Sequence, residues 1–218
     1  MVISVASCNF LVFSEIVVQP NQISLGYGND IVAIGNGNNV IQTEGGNDVL
    51  TLGNGNNAIA LGNGNDELTV GNGTNEIELG CGDNSEAVGN GKDFISTWGG
   101  NDTLTLGQGQ YTIANQGGQD TINLSGVSHN NLWFSQQGSN LLITVLGSQE
   151  SITVDNWFQN QQSQINKIVT SDGDSISASG IDKLVHAMAS FAPPFAGQTV
   201  LSAQEQQSLQ PVLAANWH

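Results

Sequence analysis

Gly26–Ile34 reads Gly-Tyr-Gly-Asn-Asp-Ile-Val-Ala-Ile, and the next nine residues, Gly35–Thr43, read Gly-Asn-Gly-Asn-Asn-Val-Ile-Gln-Thr. A unit of this form repeats eleven times, without an insertion, from Gly26 to Leu124. A fixed period without slippage is typical of proteins in which each unit stacks on copies of itself. The repeat therefore predicts a solenoid.

Each unit combines a turn with a short strand. The Gly-x-Gly-Asn-(Asp/Asn) half favours a tight turn, because glycine and asparagine tolerate positive φ angles. The remaining residues alternate in facing, as in a strand. Two units then form one coil of 18 residues, and coils about 4.8 Å apart predict a rod roughly 26 Å long. The predicted inward pairs are Val32 and Ile34, Leu50 and Leu52, Ile59 and Leu61, Leu68 and Val70, Ile77 and Leu79, Leu104 and Leu106, and Ile122 and Leu124.

The repeat is similar to that of a known family. The nonapeptide G-G-x-G-x-D-x-U-x is the calcium-binding β-helix repeat of RTX (repeats-in-toxin, haemolysin-type) proteins, and the chain resembles them over about a hundred residues. The segment Ile152–Phe158 also resembles the region that follows the repeats in many RTX proteins. The resemblance implies an all-β fold: a parallel β-roll, or right-handed β-solenoid, with a C-terminal β cap and a short α-helical tail.

Four segments are expected along the chain. Residues 1–24 are predicted to form N-terminal capping strands, 25–126 the β-roll, 127–178 a C-terminal β capping module and 179–218 a helical tail. Four cap strands are predicted from alternating aliphatic and aromatic residues: Asn131–Ser135, Asn140–Leu146, Ser151–Phe158 and Ile165–Thr170. Trp133, Trp157 and Phe158 are expected in the core of this cap.

The tail is expected to contain two amphipathic helices, Ile181–Phe191 and Ala203–Ala215. Its apolar end, Leu213–His218, resembles an uncleaved type I secretion signal. The alternative is an ordinary helical hairpin packed on the cap. Met1–Val18 lacks a basic start and contains Glu15, which is untypical of a cleaved export signal.

The charge is strongly one-sided. Nineteen acidic residues face three lysines and no arginine, giving a net charge of −16. A nucleic-acid partner is not expected, because few side chains could neutralise phosphates, and no apolar run is long enough to predict a membrane span. Twelve of the acidic residues lie inside the repeat, several at one fixed position, which favours cation binding over solubility alone.

Residues 18 apart are neighbours in the stack, and this separates two edges of the solenoid. We name as the acidic edge Asp30, Asp48, Asp66, Asn84, Asp102 and Asp120. We name as the amide edge Asn39, Asn57, Asn75, Asp93 and Tyr111. Carboxylates about 5 Å apart repel each other by about 1 kcal/mol even in water, whereas Ca²⁺ between them would reverse the sign and accepts six to eight oxygen ligands.

The RTX resemblance implies that paired aspartates and carbonyls of the glycine turns hold Ca²⁺. The expected ligands are Asp30, Asp48, Asp66, Asp102 and Asp120, with Gly28, Gly46, Gly64 and Gly100, and with Asn84 or Asp83 where the aspartates are interrupted. On the amide edge we expect a neutral hydrogen-bonded ladder, with calcium as the less favoured alternative, and a solvated Asp93. Glu86 falls at an inward position, which requires a bulge, a partner or a proton.

These features predict a secreted, extracellular or cell-surface calcium-binding protein that folds on binding Ca²⁺ after export by type I secretion machinery. The first alternative is a self-assembling extracellular scaffold or homo-oligomer. A less favoured one is ice binding, for which the outward row Asn36, Asn54, Asn72 and Asn90 is too weak a motif. No catalytic motif is recognised, so a non-enzymatic protein is expected. Cys8 and Cys81 are too few to predict a disulfide framework.

Overall fold

The computed structural model of the chain describes residues 2–5, 11–12, 21–195 and 197–218, with side chains for the last two ranges. Most of the predicted N-terminal cap, and Cys8 with it, therefore lies outside the described residues. The strands are β1 Val2–Val5, β2 Leu11–Val12, β3 Gln22–Leu25, β4 Ile31–Ile34, β5 Val40–Gln42, β6 Val49–Leu52, β7 Ala58–Ala60, β8 Glu67–Val70, β9 Glu76–Cys81, β10 Ser85–Val88, β11 Lys92–Gly99, β12 Thr103–Leu106, β13 Gln110–Asn115, β14 Thr121–Leu124, β15 Leu132–Gln137, β16 Asn140–Val145, β17 Ser151–Val154, β18 Lys167–Val169 and β19 Ser175–Ser177.

Successive strands alternate between two parallel sheets. One sheet contains the odd-numbered strands from β1 to β13, and the other the even-numbered strands from β2 to β14. Within the repeat the partners are 18 residues apart, as in Ile31 with Val49 and Val40 with Ala58. The protein is thus a parallel β-solenoid of about six turns with about 18 residues per coil, as predicted.

The core is a stack of aliphatic side chains between the two sheets. All seven predicted inward pairs have both members buried, which confirms the facing deduced from the nonamer. The outward positions of the same strands are exposed or half-buried. Alternation of facing along each strand therefore fixes the register, since a slip of one residue would expose every ladder.

The C-terminal region covers the end of the solenoid by continuing both sheets. β17 pairs in parallel with β13 and is extended by the antiparallel strands β16 and β15. β18 pairs in parallel with β14 and is followed by the antiparallel β19. Trp133 and Trp157 are buried as expected, but Phe158 is half-buried. The chain leaves β17 earlier than predicted, through a turn in which Asn156 takes a φ of 56°.

Two helices follow the cap, α1 Ala178–Met188 and α2 Ala203–Asn216. The first begins before the predicted Ile181, because the Ser177 side chain accepts a hydrogen bond from Gly180 N–H and caps it. Helix α1 packs against β15 and α2. No helix in the described ranges is long and apolar enough to cross a membrane.

Candidate metal sites along the acidic edge

The turns of the acidic edge are stacked so closely that they require glycine. Gly46 has a φ of +125°, and a Cβ placed on it would lie 2.0 Å from the carbonyl oxygen of Gly28 in the preceding coil. Gly64 stands in the same relation to Gly46, at 1.7 Å. Successive glycine turns on this edge are therefore stacked with no room for a side chain between them.

The acidic-edge side chains point inward and are buried. Asp30, Asp48, Asp66, Asp102 and Asp120 each expose 3% or less of their surface, and Asn84 is equally buried. From Asp48 onward, each side chain accepts a hydrogen bond from the coil before it: Asp30 N–H donates to Asp48 Oδ1 at 2.8 Å, and Asp48 N–H donates to Asp66 Oδ1 at 2.8 Å. The structure thus brings these predicted residues into one row.

The same bond recurs to the end of the repeat. Asp66 N–H donates to Asn84 Oδ1, and Asp102 N–H donates to Asp120 Oδ1. At the last turn, Asp120 N–H donates to Asn166 Oδ1 of the cap at 3.2 Å. Asn166 was missed by sequence reasoning, because it lies outside the nonamer period and no spacing connects it to Asp120.

The second carboxylate oxygen of each aspartate is buried without a hydrogen-bond partner. This holds for Oδ2 of Asp48, Asp66, Asp102 and Asp120, and for both oxygens of Asp30. A buried acceptor without a donor is destabilising by about 1–3 kcal/mol, and more if it is charged. A row of such atoms is therefore a strong indication that a cationic group belongs there.

Burial perturbs the acidity of this row. It raises the pKa of Asp66 and Asp120 to about 6, although the backbone N–H bonds partly oppose the rise and neighbouring carboxylates add to it. The pKa values of Asp30 and Asp102 are raised from the same leading cause. The ionised row is thus costly unless a cation compensates it.

The amide edge solves the same packing problem without charge. Asn39 N–H and Asn39 Nδ2 both donate to Asn57 Oδ1, at 3.0 and 2.9 Å, and Nδ2 also donates to Gly37 O at 3.0 Å. Asn57 repeats this pattern with Asn75 and Gly55. The predicted neutral ladder is confirmed, and it extends to Asn21, whose Nδ2 donates to Asn39 Oδ1.

Asn84 places this amide chemistry on the acidic edge. Its Nδ2 lies 3.2 Å from Gly80 O, 3.2 Å from Gly82 O and 2.9 Å from Asp102 Oδ1. The atom is therefore surrounded by three oxygens. Asp83 is elsewhere: it is exposed, and its Oδ1 accepts from Asn101 N–H in an outer row of side chains.

The expectation for Asp93 is wrong. Its side chain is buried rather than solvated; Oδ1 accepts from Asn75 N–H and Asn75 Nδ2 at 2.8 Å each, and Oδ2 has no partner. Burial raises the pKa of Asp93. The reason is positional, since the last turn residue faces inward on both edges whatever its neighbour, and adjacent Lys92 remains exposed.

Glu86 is accommodated without a bulge. β10 stays in register, with Glu86 opposite Leu68 on one side and Leu104 on the other. Both carboxyl oxygens are buried and unpartnered, and burial, with Asp93 and Asp102 nearby, raises the pKa of Glu86 to about 8. The structure therefore shows neither a bulge nor a hydrogen-bond partner at Glu86, and the raised pKa favours the protonated carboxyl near neutral pH.

A second cluster lies in the cap and was also missed. His129 Nδ1 is 2.8 Å from Asp172 Oδ2 and 2.8 Å from Asp174 Oδ2, so three groups of metal-ligating type lie together. Burial raises the pKa of Asp172, but hydrogen bonds from Ser128, Thr170 and His129 outweigh it and hold that pKa well below its usual range. More than 40 residues separate His129 from its partners, so no local pattern could predict the cluster.

Comparison with protein families gives two matches. Residues 20–41, 33–68 and 87–113 match the RTX calcium-binding nonapeptide repeat, and residues 140–179 match the haemolysin-type calcium binding protein related domain. The first set covers the turns of Asp30, Asp48, Asp66 and Asp102. The matched segments leave residues 69–86 between them, which hold Asn84 and Glu86.

Proposed function

Because this chain is an RTX haemolysin-type calcium-binding repeat protein, we propose that it binds Ca²⁺ ions between successive turns of the acidic edge. The proposed ligands are the aspartates of neighbouring coils and the glycine carbonyls of their turns. They are Asp30, Asp48, Asp66, Asp102 and Asp120, with Gly28, Gly46, Gly64 and Gly100. The observation that carries the proposal is the row of buried, unpartnered Oδ2 atoms.

Asn84 indicates what surrounds those atoms. Asn84 shares one orientation with the aspartates after Asp30, because each uses Oδ1 to accept the backbone N–H of the preceding coil. The other terminal atom is Nδ2 in Asn84 and Oδ2 in the aspartates. In Asn84 it meets the carbonyls two and four residues earlier and Asp102 Oδ1. An aspartate in that position would collect oxygens only, which is the donor set that Ca²⁺ prefers.

We expect the strongest sites where two aspartates are adjacent, at Asp30/Asp48, Asp48/Asp66 and Asp102/Asp120. On either side of Asn84 the carboxylate count falls by one, and affinity should fall with it. Asn39 and Asn57 place an N–H donor where the aspartates of the acidic edge have an oxygen, so the turns of Asn39 and Asn57 should not bind Ca²⁺.

Calcium binding is proposed to drive folding of the repeat. The calcium-free fold must bury a row of carboxylates, whereas the unfolded chain leaves them in water, so the ion stabilises the folded state selectively. Modular extracellular sites bind at about 10⁻⁴–10⁻³ M, and such sites would fill outside the cell. Secretion through type I machinery, with the helical tail as its signal, is proposed on this basis and on the family.

The direct test is a count of bound Ca²⁺ by titration calorimetry, paired with circular dichroism in calcium and in chelator. We expect several ions per chain and a marked loss of β signal in chelator. The informative variant is Asp48→Asn, which copies Asn84 and should remove or weaken the two sites that share Asp48. Its matched control is Asp83→Asn, which removes the same charge from an exposed position. Equal calcium counts in Asp48→Asn and wild type would contradict the proposal.

A further inference from the structure

A row of exposed asparagines runs along the amide-edge side of the solenoid, each followed by glycine. We name as the outer amide row Asn36, Asn54, Asn72 and Asn90. Each Oδ1 accepts the backbone N–H of the residue one coil later, as in Asn90 N–H to Asn72 Oδ1 at 2.7 Å and Gln108 N–H to Asn90 Oδ1 at 2.7 Å. Because their side-chain oxygens make the same contact, the folded structure distinguishes these asparagines at the glycine that follows each of them.

The glycines differ in one backbone hydrogen bond. The N–H groups of Gly37, Gly55 and Gly73 each donate to the carbonyl one coil later, at 2.8, 2.9 and 3.1 Å. Gly91 N–H has no acceptor among the described residues. The next turn also differs, because Tyr111 replaces the asparagine or aspartate found at this position in the earlier coils and its hydroxyl donates to Gly89 O at 2.7 Å.

We propose that Asn90-Gly91 is a site of spontaneous deamidation in the folded protein. The Gly91 nitrogen attacks Asn90 Cγ, the new C–N bond closes a five-membered imide, and the side-chain nitrogen leaves as ammonia with the proton from Gly91. Water then opens the imide at either carbonyl, leaving an aspartyl or isoaspartyl residue. The balance is one water consumed and one ammonia released, and no other reactant is needed.

The position gives the reaction a structural consequence. Asn90 is exposed and Gly91 is half-buried, so water reaches the bond. Either product adds a negative charge three residues from the buried Asp93, and the isoaspartyl product adds a backbone methylene to a turn whose Oδ1 holds Gln108 N–H. The modification would therefore loosen the junction between the coils that hold β11 and β13.

The test follows deamidation of wild-type protein in millimolar Ca²⁺ by peptide mapping and mass spectrometry over weeks. A hydrogen bond donated by the attacking N–H must be broken before the nitrogen can react, and its absence corresponds to a rate difference of about fivefold. Asn90 should therefore deamidate about five times faster than Asn72. Asn63, whose following Gly64 N–H donates to Cys81 O at 2.9 Å, is a second slow control.

A parallel incubation in chelator and denaturant separates structure from sequence. There the hydrogen bonds are lost, and Asn90 and Asn72 should react at similar rates. Equal rates for the two in the folded protein would overturn the proposal. So would an Asn90 that is equally favoured in denaturant, since the preference would then come from Lys92 or other local sequence.

Discussion

The two edges of this solenoid share a backbone and differ in one atom of one side chain. On the amide edge, Asn57 Nδ2 donates to Gly55 O and Asn75 Oδ1, so the side-chain amide of Asn57 is satisfied by hydrogen bonds within the stack. On the acidic edge, Asp66 Oδ2 is buried with no partner. The nonamer thus specifies the fold through its glycines and aliphatic residues, whereas its last turn residue determines whether a buried oxygen is left without a donor.

Converting the acidic edge into a second amide edge should have the largest effect. Replacing all five acidic-edge aspartates by asparagine should give a repeat that folds in chelator and no longer binds Ca²⁺ at this edge. Each new side-chain N–H₂ group would replace a buried oxygen that has no donor, which should raise the free energy of unfolding by on the order of 5 kcal/mol in total. Thermal unfolding in chelator and calorimetric titration measure the two effects.

The matched control for that conversion removes five exposed acidic charges instead, by Glu44→Gln, Glu67→Gln, Glu76→Gln, Glu78→Gln and Asp83→Asn. This control reduces the negative net charge by as much as the conversion does, but it leaves the acidic edge intact. If it stabilises the calcium-free protein as much as the conversion does, general repulsion and not the orphaned oxygens explains the calcium requirement.

Glu86 offers the next largest effect. Glu86→Leu continues the ladder of Leu68 and Leu104 and should stabilise the calcium-free protein by about 3–5 kcal/mol at pH 8. Because the folded pKa is raised to about 8, wild-type stability is full below about 4.5 and falls as pH rises through 8. The gain should therefore shrink in acid, and chemical denaturation at pH 5 and pH 8 measures it. Exposed Glu67→Leu is the control; a pH-independent gain at position 86 would contradict the argument.

The pH of the solution should affect the acidic edge, both in the stability of the calcium-free fold and in calcium affinity. Because the pKa values of Asp66 and Asp120 are raised to about 6, these two residues favour the calcium-free fold below about pH 4, and this contribution is lost as pH rises through 6. The full linkage is about 3 kcal/mol for each residue, and solvent screening reduces it to on the order of 3 kcal/mol for the two together. Calcium affinity should change in the opposite direction, weakening as pH falls through 6, because the ligands must release protons. Titrations at pH 5.5 and 7.5 that gave the same affinity would refute this.

The smallest effect concerns a single asparagine. Asn57→Asp should destabilise the protein in chelator by about 1–2 kcal/mol, since the donors to Gly55 O and Asn75 Oδ1 are lost. Asn56→Asp is the control, because exposed Asn56 uses its oxygen to accept from Thr74 N–H, and a carboxylate keeps that contact. Thermal unfolding that ranks the two variants equally would show that charge alone matters.

The period of the sequence predicts the solenoid, its register and the buried pairs such as Leu50 and Leu52, because stacking makes each nonamer a constraint on the next. The period does not predict the environment of a side chain that depends on residues far away in the sequence. Asp93 was misjudged from its neighbour Lys92, although inward facing is set by the coil. Asn166 and the contact of His129 with Asp172 arise from cap residues that have no period, and they become visible only when the chain has folded back.

The bond from Asp120 N–H to Asn166 Oδ1 gives the acidic-edge ladder a polarity. Along this edge, the backbone N–H of each last turn residue donates to a side chain that lies later in the chain. Asp30 N–H finds its acceptor within the repeat, whereas Asp120 N–H depends on a residue of the cap. A truncation that removes Asn166 should therefore leave Asp120 N–H without this acceptor, at the turn where the solenoid meets the cap.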